Sequence, residues 1–215
     1  MWLEFDRPEV LVAHLGMSGQ FKIQSAKDDR EPHLRACFTL SNGKELRFVD
    51  QRTFGWLAVD QLANDVPKLV SHIALDPFDS RFDKRATVSR ISKSRAQIKK
   101  VILDQSIVSG IGNIYADEAL WRARIHPESI AAELTSTQIL NVLTAAQKVM
   151  ERALAAGGTS FDDLYINVNG ESGYFERSLA VYGREGEPCR RCGSEIVRIA
   201  FANRSSRLCP TCQTR

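Results

Sequence analysis

No apolar run in the chain approaches the roughly 18 residues that a membrane-spanning helix needs, so no helical membrane anchor is expected. The opening, Met1 to Val10, has no basic segment leading into an apolar stretch, which argues against a signal peptide and for a cytoplasmic protein. Internal repeats and low-complexity tracts are missing, which removes solenoids and biased linkers from consideration. Cysteine is scarce, with 5 in 215 residues, and net charge is small at +3. What remains is an ordinary globular composition, 43% apolar and 26% charged, long enough to bury a core in one or two domains.

The small net charge hides an uneven distribution. Between Ser80 and Lys100 stand Arg81, Lys84, Arg85, Arg90, Lys93, Arg95, Lys99 and Lys100 against Asp83 alone, and arginines also dominate from Arg177 to Arg215. Two basic segments on a nearly neutral chain suggest a face for a polyanion; a solvated charged surface is the competing reading.

The pattern of apolar residues changes along the chain. Val10 to Leu15 is nearly continuous, and Gln20 to Gln24 alternates. Leu34 to Leu40 and Glu45 to Val49 flank Ser41-Asn42-Gly43, a strong hairpin signal. Helices are predicted over Gln97 to Gln105, Ile114 to Arg124 and Leu134 to Ala155. The last carries a 3.6-residue apolar stripe, a capping box at Thr135 and Gln138, and a stop at Gly157-Gly158. Asn167 to Gly173 reads as a mobile loop. The fold class is α+β: a partial N-terminal β domain over 1–76, a helical domain over 77–176 and a small cysteine-bearing module over 177–215.

Cys189, Cys192, Cys209 and Cys212 form two CxxC knuckles separated by 16 residues. That spacing lets four thiolates surround one tetrahedral Zn²⁺ on a β-hairpin ribbon, Ile196 to Phe201 pairing with Ser206 to Leu208. Disulfides or a redox CxxC are the alternatives, and a cytoplasmic chain argues against them. Four protein ligands leave no position for water, so this zinc is expected to be structural. Cys37, alone in a predicted strand, reads as a small buried apolar residue.

Ser109-Gly110-Ile111-Gly112-Asn113 joins two predicted helices. Glycines there allow close approach to a phosphate, and the following helix start offers free N–H donors. The longer string is more specific: Leu103-Asp104-Gln105, then Gly110 through Leu120, then Ile125-His126-Pro127 resembles the helix–two-turn–helix signature of the formamidopyrimidine-DNA glycosylases. His14 to Gly19 resembles a strand-loop motif of that family's N-terminal β-sandwich, and Asp50 to Gly55 its intercalation loop. Gly173-Tyr174-Phe175 with Val181 to Cys189 resembles the approach to its zinc finger. The likeness covers essentially the whole chain. A non-enzymatic zinc-ribbon factor of transcription or translation, the reading from another class, would not be expected to carry the Asp50 to Gly55 loop.

The resemblance implies base excision repair, with damaged double-stranded DNA as partner, a monomer, a location at the bacterial nucleoid and one structural zinc. Met17, Arg52 and Phe54 would fill the gap left by an everted nucleotide, a set that favours the purine-directed enzyme over endonuclease VIII. Without that context a core Met and Phe with a surface Arg is the plainer reading. Lys99, Asn113 and Arg204 match phosphate-contacting positions, and Asn167 to Gly173 matches a lesion-capping loop. Family enzymes open with a processed proline, whose amine attacks the sugar, and a glutamate that handles protons. This chain opens Met1-Trp2-Leu3, partway into the first sheet, so no catalytic residue is assigned within it. Two explanations stand: a fragment or misplaced start of an enzyme, or a shortened homologue that binds DNA without cutting it. A sheet deprived of its first strands would also expose an edge.

Overall fold

A computed structural model describes residues 1–156 and 178–215. Two predicted features, the stop at Gly157-Gly158 and the capping loop at Asn167 to Gly173, lie outside the described residues. The described chain divides into two units, one over Met1–Ser71 and one over 72–156 with 178–215.

The first unit is built of two antiparallel sheets. Strands β1 (Trp2–Phe5), β2 (Arg7–His14), β6 (Trp56–Ala63) and β7 (Val66–Pro67) pair in the order β1-β2-β6-β7. Strands β3 (Gly19–Ser25), β4 (Leu34–Thr39) and β5 (Lys44–Asp50) pair in the order β3-β5-β4. The apolar run read from the sequence is the core of β2, where Val10, Leu11, Val12 and Ala13 are all buried. The expected hairpin joins β4 to β5, with Gly43 at a φ of 76° that a side chain would resist. The expectation for Cys37 is corrected: it is exposed. In β4 the half-buried positions are Leu34, Ala36 and Phe38, and the two-residue period sends Cys37 outward.

The second unit holds four helices and the zinc hairpin. α1 (Lys84–Ile91) lies within the first basic segment, where the apolar pattern does not announce a helix; Asp83 caps it by accepting from the Arg85 and Ala86 amides. α2 spans only Ile98–Ile102, shorter than predicted. Its first amides donate outside the helix, Ile98 to the Ser129 carbonyl and Lys99 to that of Pro127. α3 (Asn113–Ala123) and α4 (Ser136–Ala155) follow the predicted ranges closely, and Thr135 with Gln138 forms the capping box. Ile91, Ile98, Ile102, Ile111, Leu120, Ile139 and Leu143 make the core between these helices. β8 (Val197–Phe201) and β9 (Arg204–Leu208) form the hairpin.

Candidate nucleic-acid interface and metal centre

In the first unit, two loops meet around one carboxylate. Asp50, at the end of β5, is buried, and its Oδ1 accepts from the Ser18 hydroxyl at 2.6 Å while its Oδ2 accepts from the Gly55 amide at 2.8 Å. Ser18 in turn accepts from the Arg52 amide at 2.9 Å. Burial alone would push the Asp50 carboxyl up, but bonds from Ser18 and the Gly55, Arg52 and Thr53 backbone hold it below its ordinary value. Gly16 lies so close to Phe54 that a Cβ there would fall 2.7 Å from the Phe54 carbonyl carbon, so the approach of the loops requires glycine.

This bracing presents the three predicted gap-filling residues together. Met17 is 49% exposed and Phe54 60%, and the Arg52 guanidinium lies 4.0 Å from the Met17 sulfur. A core Met and Phe is thereby excluded. The loop also uses a residue that sequence reasoning missed: Arg35 donates from Nε to the Asp50 carbonyl at 2.9 Å. No local pattern marks Arg35, because its partner lies on another strand.

In the second unit, Gln105 fastens the turn before α3. Its Nε2 donates to the Leu103 and Ile111 carbonyls, and its Oε1 accepts from the Gly110 amide at 2.9 Å. Asn113 starts α3, with Nδ2 donating to the Ser205 carbonyl at 3.3 Å and Oδ1 buried without a hydrogen-bond partner among the described residues. Arg204 stands exposed at the start of β9. Lys99, expected at a phosphate-contacting position, is enclosed by protein. The side chain is fully buried, with Nζ 2.7 Å from Asp117 Oδ1 and donating to the Ser205 carbonyl at 2.9 Å. Its charge is neutralised inside the protein. Burial pushes the Asp117 carboxyl up and the Lys99 ammonium down, and their mutual attraction opposes both.

The basic segments are also less of a free surface than their charge suggests. Arg81 pairs with Asp79, Lys84 donates to Gln147, Arg184 pairs with Glu187 and Arg207 with Glu185.

The four predicted ligands converge. The sulfurs of Cys189, Cys192, Cys209 and Cys212 lie within 4.8 Å of one another, with Cys192 to Cys209 at 3.4 Å and Cys212 to Cys192 at 3.5 Å. Zn–S bonds of about 2.3 Å place tetrahedral sulfurs about 3.8 Å apart, so the cage fits one zinc ion. Four sulfurs sharing one centre match a metal site better than two disulfides. The surroundings suit thiolates: the Arg191 amide donates to Cys189 Sγ at 3.4 Å and the Cys212 amide to Cys209 Sγ at 3.4 Å.

Two acidic or amide side chains of this unit were not singled out from the sequence. Glu118, buried on α3, accepts from the backbone amides of Ala180, Val181 and Tyr182. Gln213 accepts from the Cys209 amide and donates to the Ile125 carbonyl, both at 2.9 Å. Both sit in ordinary-looking polar positions, and only the three-dimensional partners reveal them.

A two-sheet unit with an exposed Met-Arg-Phe loop pair, and a helix–two-turn–helix unit carrying a four-cysteine hairpin, define a class of zinc-containing DNA-repair protein. Family models match in the same order: the formamidopyrimidine-DNA glycosylase N-terminal domain over residues 1–57, its H2TH domain over 73–164, and a zinc finger found in FPG and IleRS over 186–215. The chain belongs to the formamidopyrimidine-DNA glycosylase family. It is 54% identical to a formamidopyrimidine-DNA glycosylase of Nocardia farcinica over 228 residues, covering 100% of this chain and 78% of that protein. It is 56% identical to one from Rhodococcus opacus over 218 residues, covering 99% and 75%. Among solved structures, the Lactococcus lactis Fpg in complex with abasic-site DNA superposes with a TM-score of 0.85 at 32% identity, covering 96% of this chain and 76% of that one. The MutM (Fpg) protein of Thermus thermophilus gives 0.85 at 36%, covering 97% and 77%. Three ordered family matches displace the alternative of a transcription or translation accessory factor.

Proposed function

We propose that these residues recognise oxidised purines in duplex DNA for base excision repair, acting as a monomer in the cytoplasm at the nucleoid. The observation that carries the reading is the exposure of Met17, Arg52 and Phe54 together on loops braced by Asp50. Apolar side chains held out of a core cost solvation energy that an unstacked base step would recover, and an arginine beside them can hydrogen-bond the base left without its partner. Asn113, at a helix start, and Arg204, exposed on the hairpin, contact phosphates and hold the backbone in register. The zinc keeps the hairpin folded and takes no part in chemistry. Relatives named as formamidopyrimidine-DNA glycosylases, and a solved relative bound to abasic-site DNA, support this substrate class.

The proposal for these 215 residues is recognition. The test is a binding titration against duplexes that differ only in one stable abasic analogue. Tighter binding to the abasic duplex is the expected result, and equal affinity for both duplexes would defeat the reading.

A further inference from the structure

Lys99, Asp117 and Asn113 surround the stretch of hairpin that contains Arg204, yet none of them is on the hairpin. Lys99 comes from α2 and places Nζ 5.1 Å from the centre of the Phe201 ring and 2.9 Å from the Ser205 carbonyl. Asp117 comes from α3 and accepts from the Ser206 hydroxyl at 2.7 Å and from the Arg207 amide at 3.0 Å. Asn113 adds a second donor to the Ser205 carbonyl. Phe201 and Arg204 are register partners at the end of the hairpin. The grip therefore closes on residues 201, 205, 206 and 207, on both sides of Arg204, and leaves Arg204 itself exposed.

We propose that Lys99 and Asp117 are a positioning pair: an ion pair inside the helical core that sets where Arg204 stands relative to the start of α3. This rests on the DNA-binding reading given above. A buried ion pair is a costly way to gain stability, because desolvation offsets much of the attraction. Its value lies in geometry, since an ammonium and a carboxylate with fixed hydrogen-bond partners admit few arrangements. Arg204 has a long, rotatable side chain, so the position of its backbone decides which phosphate it can reach. The pair acts on DNA only through that backbone.

The two roles available to Lys99 predict opposite signs for one substitution. If its ammonium met phosphate directly, Asp117→Asn would release a positive charge toward DNA and strengthen binding. If the pair positions the hairpin, the same change loosens the grip and weakens binding. The experiment titrates an abasic-analogue duplex at several salt concentrations with the full chain carrying Lys99→Met, Asp117→Asn, Arg204→Ala and the combination of Lys99→Met with Arg204→Ala. Zinc content and amide hydrogen exchange of residues 204–207 are measured on each. Lys99→Met and Asp117→Asn are each expected to weaken binding by roughly tenfold, and Lys99→Met to add less than about twofold once Arg204 is gone, as coupled neighbours do. Exchange at 204–207 should rise while zinc stays at one per chain. Asp117 to Asn is nearly isosteric, which keeps the test valid should Lys99→Met fold poorly. Tighter binding by Asp117→Asn, additive losses in the combined variant, or unchanged exchange at 204–207 would overturn the proposal. Failure of the wild-type chain to prefer abasic DNA would instead count against the proposed function, and the exchange measurement would still decide the positioning role.

Discussion

The indole Nε1 of Trp121 donates to the Sγ of Cys189 at 3.4 Å, so a side chain of α3 reaches the outer coordination shell of the metal site. The Arg191 guanidinium stacks 4.2 Å above the same indole and donates to the Trp121 carbonyl at 3.1 Å, closing the knuckle onto the helix. Donors to a ligating thiolate offset its charge and fix its direction.

Zinc affinity should respond to this bond. The protein is expected to contain one zinc per chain, and Trp121→Phe, which keeps the ring but removes the donor, should lower affinity by about tenfold, typical of outer-shell changes. Competition with a chromophoric chelator measures it. A zinc content near zero in protein never exposed to chelators would remove the assignment.

Arg204→Ala should weaken binding to duplex DNA and reduce the slope of log affinity against log salt by about one unit, as loss of one phosphate contact does. Because Arg204 is exposed, the melting temperature should hardly change. An unchanged slope would take Arg204 out of the interface.

Phe54→Ala should weaken binding to abasic DNA more than to intact duplex. The ring fills space only where a base has left the stack, and it is already 60% exposed, so folding loses little. Equal losses on the two duplexes would contradict a gap-filling role.

Asp50→Asn should destabilise the first unit by about 2 kcal/mol near neutral pH, because hydrogen bonds to an ionised, buried acceptor are replaced by weaker ones. The folded-state pKa of Asp50 lies below the ordinary 3.8. Its stabilising contribution is thus fully present above that value and is lost as pH falls through the lower, folded-state pKa. The melting curves of the two proteins should therefore converge progressively as pH falls from about 3.8 through the lower folded-state pKa, and a gap that stays constant over that fall would rule out the charge of Asp50 as the cause.

Features governed by near neighbours in the chain were legible. Asn42-Gly43 specifies a tight hairpin because glycine tolerates positive φ, and Thr135 with Gln138 closes a capping box across three residues. α1 was not legible: its apolar face comprises little beyond Val88 and Ile91, among lysines and arginines. The exposure of Met17 and Phe54 was also undecided by composition, since apolar residues usually favour a core. Their exposure follows from Asp50, Ser18 and Gly16, which tie the two loop motifs to each other across more than 30 residues of sequence.

The sequence by itself determined strands β2 to β5, helices α3 and α4 and the four zinc ligands, because periodicity, turn chemistry and ligand spacing are written in consecutive residues, and its ordered motifs carried the family resemblance. Only the tertiary structure decided which charges face solvent. Lys99 belongs to a strongly basic segment and matches a phosphate-contacting position, yet it lies buried against Asp117. Its partner is 18 residues away on another helix, and the carbonyl it also holds is 106 residues away on the hairpin. Whether a lysine meets water or a carboxylate depends on how elements pack, and no local pattern encodes that.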